Sequence, residues 1–180
     1  MPALVTHLHR SDAHTFAKHP EASLELVAGI GVVGDAHAGA TVRHRSRVAR
    51  DPTQPNLRQV HLIPHEILDA VAADGFTVLP GQLGENVTTA GIDLHALPTG
   101  TVLRLGDDAL IALTGLRNPC GQIDGVASGL RRALLPTGDD GEPCLRGGVM
   151  AVVVRGGKVR CGDGIEVARP PGPHRPLERV

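Results

Sequence analysis

Residues 101–114 read TVLRLGDDALIALT, and this stretch decides the fold class. Apolar residues alternate with other residues over 101–105 and again over 109–114, with the period of two that is typical of β-strands. Gly106, Asp107 and Asp108 lie between the two runs and have the composition of a turn. The segment therefore predicts an antiparallel β-hairpin.

Other parts of the chain carry the same kind of pattern. Residues 58–63 (RQVHLI) alternate, and residues 149–154 (VMAVVV) form a continuous apolar run that predicts a strand buried on both faces. Gly156 and Gly157 follow this run and precede residues 158–167 (KVRCGDGIEV). We expect a second hairpin there, because glycine pairs are common in hairpin turns.

Helical patterns are sparse. Residues 64–73 (PHEILDAVAA) predict a short helix with Pro64 at its first position, and residues 130–135 predict another. Because strands follow one another without long intervening helices, we expect a mainly β fold, an antiparallel barrel with a few short peripheral helices. Residues 1–168 are expected to form a single domain, and the proline-rich tail, residues 169–180, to lie extended over its surface.

Composition narrows the classes of ligand. The net charge is −1, Trp and Tyr are absent, and Phe16 and Phe76 are the only aromatic residues. The core must therefore be aliphatic, and neither base stacking nor a strong positive field favours nucleic acid or an anionic membrane as partner. Only Lys18 and Lys158 among the 18 basic residues are lysines. The arginines favour small ligands that carry phosphate or carboxylate groups.

Two further features bear on location and redox chemistry. The first residues contain early His and Asp, and no stretch reaches the ~18 apolar residues that a membrane span needs, so we expect a cytoplasmic protein. The chain has three cysteines, which we expect to be reduced in that compartment. Three thiolates are too few for an ordinary iron–sulfur cluster within one chain. Any redox role therefore requires electrons from elsewhere.

The strongest candidate for chemistry is Cys120, in the segment LTGLRNPC of residues 113–120. A cysteine reacts or binds metal as the thiolate, which nearby cations and backbone N–H groups stabilise. Arg117 lies three residues before Cys120, and Gly121 removes the side chain that would shield the sulfur. Cys144 and Cys161 lack such a setting, and we interpret them as incidental.

Residues 35–47 supply a possible anion site. If the segment is extended, Arg43, Arg45 and Arg47 share one face and are able to grip a phosphate, whereas in a solvated loop they contact only water. Both interpretations stand on the sequence alone. His37 is either a ligand or acid–base group, or a turn histidine that caps its neighbours.

A second polar loop, residues 81–94 (GQLGENVTTAGIDL), feeds a short strand. Asn86, Thr88 and Thr89 are able to hydrogen-bond a polar ligand there, and the alternative is turn chemistry alone. Because this loop and residues 117–120 are both polar within an otherwise aliphatic domain, we expect them to share one pocket.

Two motifs point to functions that we exclude. Residues 29–34 (GIGVVG) match the dinucleotide-binding pattern, but a polar, glycine-interrupted segment follows where that motif requires a helix. The pair His61 and His65 has a spacing that suggests a metal site. The two imidazoles do not share a helical face, however, because Pro64 separates a strand from a helix. We interpret both as structural. The remaining early histidines lack the ligand spacing of a closed zinc site and are interpreted as surface residues: His7, His9, His14 and His19.

Five sequence blocks carry a family resemblance. They are GDAHAG (34–39), PNLRQVHLI (55–63), GQLGENVTTAGIDL (81–94), LTGLRNPCGQID (113–124) and GGVMAVVVRGG (147–157). Together they resemble the short, stand-alone bacterial MOSC-domain proteins, named after the C-terminal domain of molybdenum-cofactor sulfurase. The resemblance implies a β-barrel similar to that of pyruvate kinase and a single functional cysteine, which matches Cys120.

The resemblance also implies a site and an activity. Cys120 matches the cysteine whose thiolate binds molybdenum in the molybdopterin cofactor, with Arg117 and Asn118 beside it. Asn86 matches the polar loop that contacts this cofactor, and Thr88 belongs to the same loop. Arg43 and Arg45 are our own candidates for its phosphate. The implied enzyme is an oxidoreductase that reduces N-hydroxylated bases or related small compounds with electrons from a separate reductase.

Two alternatives remain open at this stage. Cys120 holds a persulfide in the sulfur-carrier interpretation and passes the sulfur to a metal centre, because a carrier also requires an accessible thiolate. The third interpretation is a non-catalytic module that binds a ligand or partner. Pyridoxal phosphate is not expected, because neither Lys18 nor Lys158 lies near the proposed pocket motifs in the sequence.

Overall fold

The computed structural model describes residues 2–138 and 141–180, and the fold is mainly β. The helices are α1 (Arg45–Val48), α2 (His65–Ala73) and α3 (Leu130–Ala133). The strands are, in chain order, β1 (Leu4–Arg10), β2 (His19–Pro20), β3 (Ser23–Val27), β4 (Gly31–Val32), β5 (Val60–Pro64), β6 (Val87–Ala90), β7 (Val102–Leu105), β8 (Ala109–Leu116), β9 (Val149–Arg155), β10 (Gly157–Arg160) and β11 (Ile165–Ala168).

The predicted hairpin of residues 101–114 is confirmed as β7 and β8. Leu105 pairs with Ala109, Val102 pairs with Ala112, and burial alternates along both strands. Gly106 supplies the positive φ of +64° that the turn requires. The hairpin is therefore the local unit from which the larger sheet extends.

The main sheet has eight strands in the order β11-β7-β8-β9-β5-β6-β1-β2. Its pairs are antiparallel except β5 with β6, which are parallel because helix α2 lies between them in the chain. The sheet does not close into the continuous barrel that we expected. Its two ends approach each other where Leu4 bridges Gly164, beside hydrogen bonds from Val5 N to Asp163 O, from Gly162 N to Val5 O and from Ile165 N to Ala3 O.

The second predicted hairpin is wrong. Strand β9 pairs with β8 and β5, whereas β10 leaves the main sheet and pairs with β3 in a three-stranded sheet of order β10-β3-β4. Neither Gly156 nor Gly157 has a positive φ, so they do not form the tight hairpin turn that the glycine pair suggested. The backbone of Gly156 instead passes so close to Leu26 O that a Cβ would lie 2.6 Å from it. The chain crosses between sheets there.

The buried hydrophobic residues are aliphatic, as the composition predicted, and among the described residues they form two clusters. The larger fills the space inside the sheets, and most of its members are strand residues such as Leu62, Val87 and Ile111. The smaller lies between α2 and the segment that follows Cys120, where Ile123 and Leu130 are fully buried. The second core thereby anchors the loop that carries the cysteine.

Helices α2 and α3 confirm the two predicted helices, and α2 begins at His65 with Pro64 as its N-cap. His61 lies in β5 and His65 in α2, as predicted. No helix in the two described segments is long and apolar enough to cross a bilayer.

The structure bears on three further points of local structure. Residues 43–47, for which the sequence left an extended face and a solvated loop as alternatives, are not extended, because α1 begins at Arg45. The tail is exposed, as expected, except at Leu177, which is buried in the larger core. His9 is not a surface residue, since only 3% of it is exposed.

Candidate functional site

Cys120 lies where strand β8 runs into the smaller core. After Leu116 the chain leaves the sheet, and Arg117 N donates to Gly148 O at 2.9 Å. Arg131 Nε donates to Pro119 O at 3.2 Å, which fixes the peptide just before the cysteine. Cys120 itself is half-buried, and its Sγ makes a long hydrogen bond to Gln122 Oε1, at 3.7 Å. The thiol is thus held by its backbone and left available on its reactive side.

Two glycines let this loop sit against neighbouring strands. A Cβ on Gly147 would lie 3.0 Å from Pro119 Cγ, and a Cβ on Gly148 would lie 2.4 Å from His61 Nε2. Gly148 also has a φ of +99°, which side chains other than glycine rarely adopt. The block GGVMAVVV therefore begins with glycines because the cysteine loop, β5 and β9 meet there.

A cavity of ≈ 640 Å³ opens beside Cys120. Six of the residues that line it are Lys or Arg, and none of its described lining residues is Asp or Glu. The six basic residues are Lys18, Arg45, Arg47, Arg58, Arg117 and Arg179. Four histidines join them, namely His14, His37, His44 and His61. A cavity with this charge and one thiol suits an anionic ligand that also binds sulfur.

Arg117 and Arg58 bring positive charge to the cysteine. Arg117 is fixed by a 2.7 Å hydrogen bond from Nη1 to Leu83 O and by the ring of Phe16, 5.3 Å from its guanidinium carbon. Burial lowers the pKa of Arg117, and interaction with Cys120 acts in the opposite direction. Burial, together with the like charges of Arg47 and Arg117, lowers the pKa of Arg58 to about 10, and interaction with Cys120 again acts in the opposite direction. Both guanidinium groups therefore lie close enough to interact with a negative charge on the sulfur.

The residues predicted from sequence fall into two groups. Cys120, Arg117, Asn118, Asn86 and Arg45 all line the cavity, so the two polar loops do share one pocket. Two other residues are not among those that line it. The guanidinium of Arg43 lies against Gly39, where a Cβ would be 2.5 Å from Nε. Thr88 is buried, and its Oγ1 donates to Glu85 Oε1 at 3.3 Å.

Asn86 has a structural task at the cavity wall. Its Nδ2 donates to Asp35 Oδ2 at 2.9 Å and to His9 O at 3.2 Å, and its Oδ1 accepts from His61 N at 3.2 Å. These contacts use most of the hydrogen-bonding capacity of one amide side chain. Asn86 therefore ties β1, β5 and the residue 35 turn together beneath the site.

Several residues that line the cavity could not be predicted from the sequence. Arg58 stands alone before β5, and its Nη2 donates to the carbonyl of Val180, which the tail brings to the cavity. Lys18 also lines the cavity, which corrects the premise that neither lysine is near the pocket. Its Nζ is buried and 2.7 Å from Asp35 Oδ2. Only the tertiary structure places these residues beside Cys120.

The family follows from comparison with known proteins. The sequence profile of the MOSC domain matches residues 37–166, a span that includes Cys120, Arg117 and Asn86. The chain belongs to the MOSC domain family. Members of this family are associated with binding of the molybdenum cofactor.

Solved structures of other bacterial proteins share this fold. The YuaD protein from Bacillus subtilis is 26% identical with a TM-score of 0.78, covering 95% of this chain and 98% of that one. YiiM from Escherichia coli is 21% identical with a TM-score of 0.66, covering 97% and 73%. YiiM from Geobacillus stearothermophilus is 16% identical with a TM-score of 0.65, covering 93% and 76%. Comparison with curated proteins found no match.

Proposed function

We propose that this MOSC protein binds the molybdenum cofactor in the ≈ 640 Å³ cavity, with Cys120 as the metal ligand, and reduces N-hydroxylated bases or related small compounds. The observation that carries the proposal is the placement of the Cys120 thiol in a cavity with six Lys or Arg residues and no Asp or Glu among its described lining residues. The cofactor combines a metal that binds thiolate with an anionic phosphate, so the residues present fit it.

Each group of side chains has a separate task. Cys120 would bind the metal, and Arg58 and Arg117 would stabilise negative charge around its sulfur. Arg45 and Arg47 lie at the end of the cavity formed by α1, where they would bind the phosphate. When bound, the molybdenum centre would supply the two-electron chemistry. The protein would orient the substrate and provide the charged surroundings.

Metal analysis of the purified protein tests the proposal directly. Protein produced in a host that makes the cofactor is expected to contain close to one molybdenum per chain. Protein without molybdenum would contradict the proposal, and an added sulfur atom on Cys120 by intact mass would support the sulfur-carrier alternative instead.

The absence of an electron-carrying motif leads to a prediction about electron donors. The loaded protein with NADH or NADPH alone should not reduce an N-hydroxylated base, because the GIGVVG segment is followed by a turn and lacks the helix that binds a dinucleotide. Reduced methyl viologen, or a separate flavin and iron–sulfur reductase, should restore turnover. Turnover with NADH and this chain alone would contradict the requirement for a separate reductase.

The proposed phosphate site predicts different effects for replacing neighbouring arginines. Replacing Arg45 and Arg47 together with Ala should weaken cofactor binding by a few kcal/mol, since a hydrogen bond to a charged group contributes about 1.5–3 kcal/mol. Molybdenum retained after gel filtration and dialysis measures the loss. Arg43→Ala is the matched control, because its guanidinium lies against Gly39 and not on the cavity. An equal loss in Arg43→Ala would return the phosphate site to Arg43.

A further inference from the structure

We propose that His37 is the proton donor to the substrate in this cavity, held in that role by Asp35 and Lys18. The proposal rests on the proposed reductase function and assigns a task to a residue outside the cofactor ligands. His37 is three-quarters buried, and its ring lies on the cavity wall together with Cys120.

The hydrogen bonds of His37 determine which ring nitrogen faces the ligand. Asp35 Oδ1 accepts from His37 N at 2.9 Å and lies 3.3 Å from His37 Nδ1. A carboxylate only accepts hydrogen bonds, so Nδ1 carries a hydrogen in the neutral ring and Nε2 is the nitrogen left for a ligand. When the ring is protonated, Nε2 holds the transferable proton.

Asp35 is fixed as a carboxylate by residues behind it. Its side chain is 1% exposed, and Oδ2 accepts from Lys18 Nζ at 2.7 Å and from Asn86 Nδ2 at 2.9 Å. Burial by itself would raise the pKa of Asp35, but the hydrogen bonds from His37 and the charge of Lys18 outweigh it and hold the pKa well below its usual value. Lys18, Asp35 and Asn86 are therefore positioning residues, since they act through His37.

The other cavity histidines lack this arrangement. His14 Nε2 lies 3.0 Å from Arg43 O, and His44 Nδ1 lies 3.0 Å from Ser46 Oγ. Burial and the charges of Arg58 and its neighbours lower the pKa of His44 to about 4, so that ring is neutral at pH 7. His61 is buried with Nε2 2.8 Å from Gly147 O. Among the described lining residues, His37 is the histidine with a carboxylate partner.

The reaction needs such a group. Reduction of an N-hydroxylated base breaks the N–O bond, consumes two electrons and two protons, and yields the base and water. The bound cofactor would supply the electrons, and the separate reductase would replenish them. His37 Nε2 gives one proton to the hydroxyl oxygen as that bond breaks, and solvent supplies the second proton and reprotonates the ring. A positioned general acid typically contributes 10²–10⁴-fold to a rate.

The test compares His37→Gln with His65→Gln, a histidine whose Nε2 also lies near a carboxylate, 3.7 Å from Asp69 Oδ1, but which does not line this cavity. Both variants should retain molybdenum as the wild type does. Single-turnover reduction of N-hydroxycytosine by protein reduced with methyl viologen should be about 100-fold slower in His37→Gln. His65→Gln should keep the wild-type rate.

Charged and polar groups surround the ring of His37. Asp35 faces Nδ1, Lys18 lies behind Asp35, and the rings of His14 and His44 lie 5.2 and 6.3 Å from the ring of His37. A His37→Gln protein that keeps the wild-type rate would overturn the assignment.

A second measurement needs no cofactor. Long-range ¹H–¹⁵N spectra of the cofactor-free protein should show neutral His37 with its hydrogen on Nδ1, and a hydrogen on Nε2 would overturn the proposal. Failure of the proposed function gives a different result, in which wild-type protein holds no molybdenum and is as inactive as His37→Gln. That result would remove the proton-donor role together with the reductase.

Discussion

Cys120→Ser protein is expected to contain no molybdenum, even when it is made in a host that supplies the cofactor. A serine hydroxyl does not ionise near neutral pH and is a poor replacement for a thiolate ligand to a soft metal site. The fold should survive, because Cys120 is only half-buried and serine is close to it in size and keeps a donor for the long hydrogen bond to Gln122 Oε1. We therefore expect metal content at background and a change in the free energy of unfolding below about 1 kcal/mol.

The chain provides its own controls for this experiment. Cys144 and Cys161 are both exposed and neither lines the cavity, so Cys144→Ser and Cys161→Ser should keep the wild-type molybdenum content. Metal analysis and chemical denaturation of the three variants give the comparison. Stoichiometric molybdenum in Cys120→Ser would contradict the assignment of this residue as the ligand.

Asp35→Asn is expected to destabilise the protein by about 3–5 kcal/mol, the usual effect of removing one partner from a buried ion pair. The ammonium of Lys18 would be left buried without its carboxylate, since the side chains of Lys18 and Asp35 are 3% and 1% exposed. Chemical denaturation measures the change. Glu21→Gln is the matched control, because the ion pair of Glu21 with Arg10 is partly exposed and should be worth less than about 1 kcal/mol.

The pH dependence of this loss follows from the direction of the pKa shift. The folded-state pKa of Asp35 lies below its unfolded value, so the carboxylate contributes stability above the unfolded value of ~3.9 and loses it only as the pH falls through the folded value. The deficit of Asp35→Asn should therefore stay constant between about pH 5 and 8. A deficit equal to that of Glu21→Gln would mean that the buried pair contributes no more than the exposed one.

The sequence by itself determined the local units of this protein. The alternation over residues 101–114 specified the β7–β8 hairpin, because a period of two has only one regular backbone that buries one face. Pro64 separated β5 from α2, because proline at that point favours extended backbone before a helix. Cys120 was identified from its neighbours in the chain, since Arg117 and Gly121 are local features.

Only the tertiary structure decided which distant residues meet. The partner of β10 is β3, and the choice depends on packing between residues more than 100 positions apart, which local pattern does not encode. Arg58, Lys18 and Val180 reach the cavity from three separate segments, and no spacing rule connects them to Cys120. The sequence favoured His37 as a turn residue over a ligand or acid–base group. In the folded chain the His37 ring pairs through Nδ1 with Asp35, and Asp35 is buried against Lys18. This charge pairing exists only in the folded chain, and it is the basis for assigning Nε2 to the cavity.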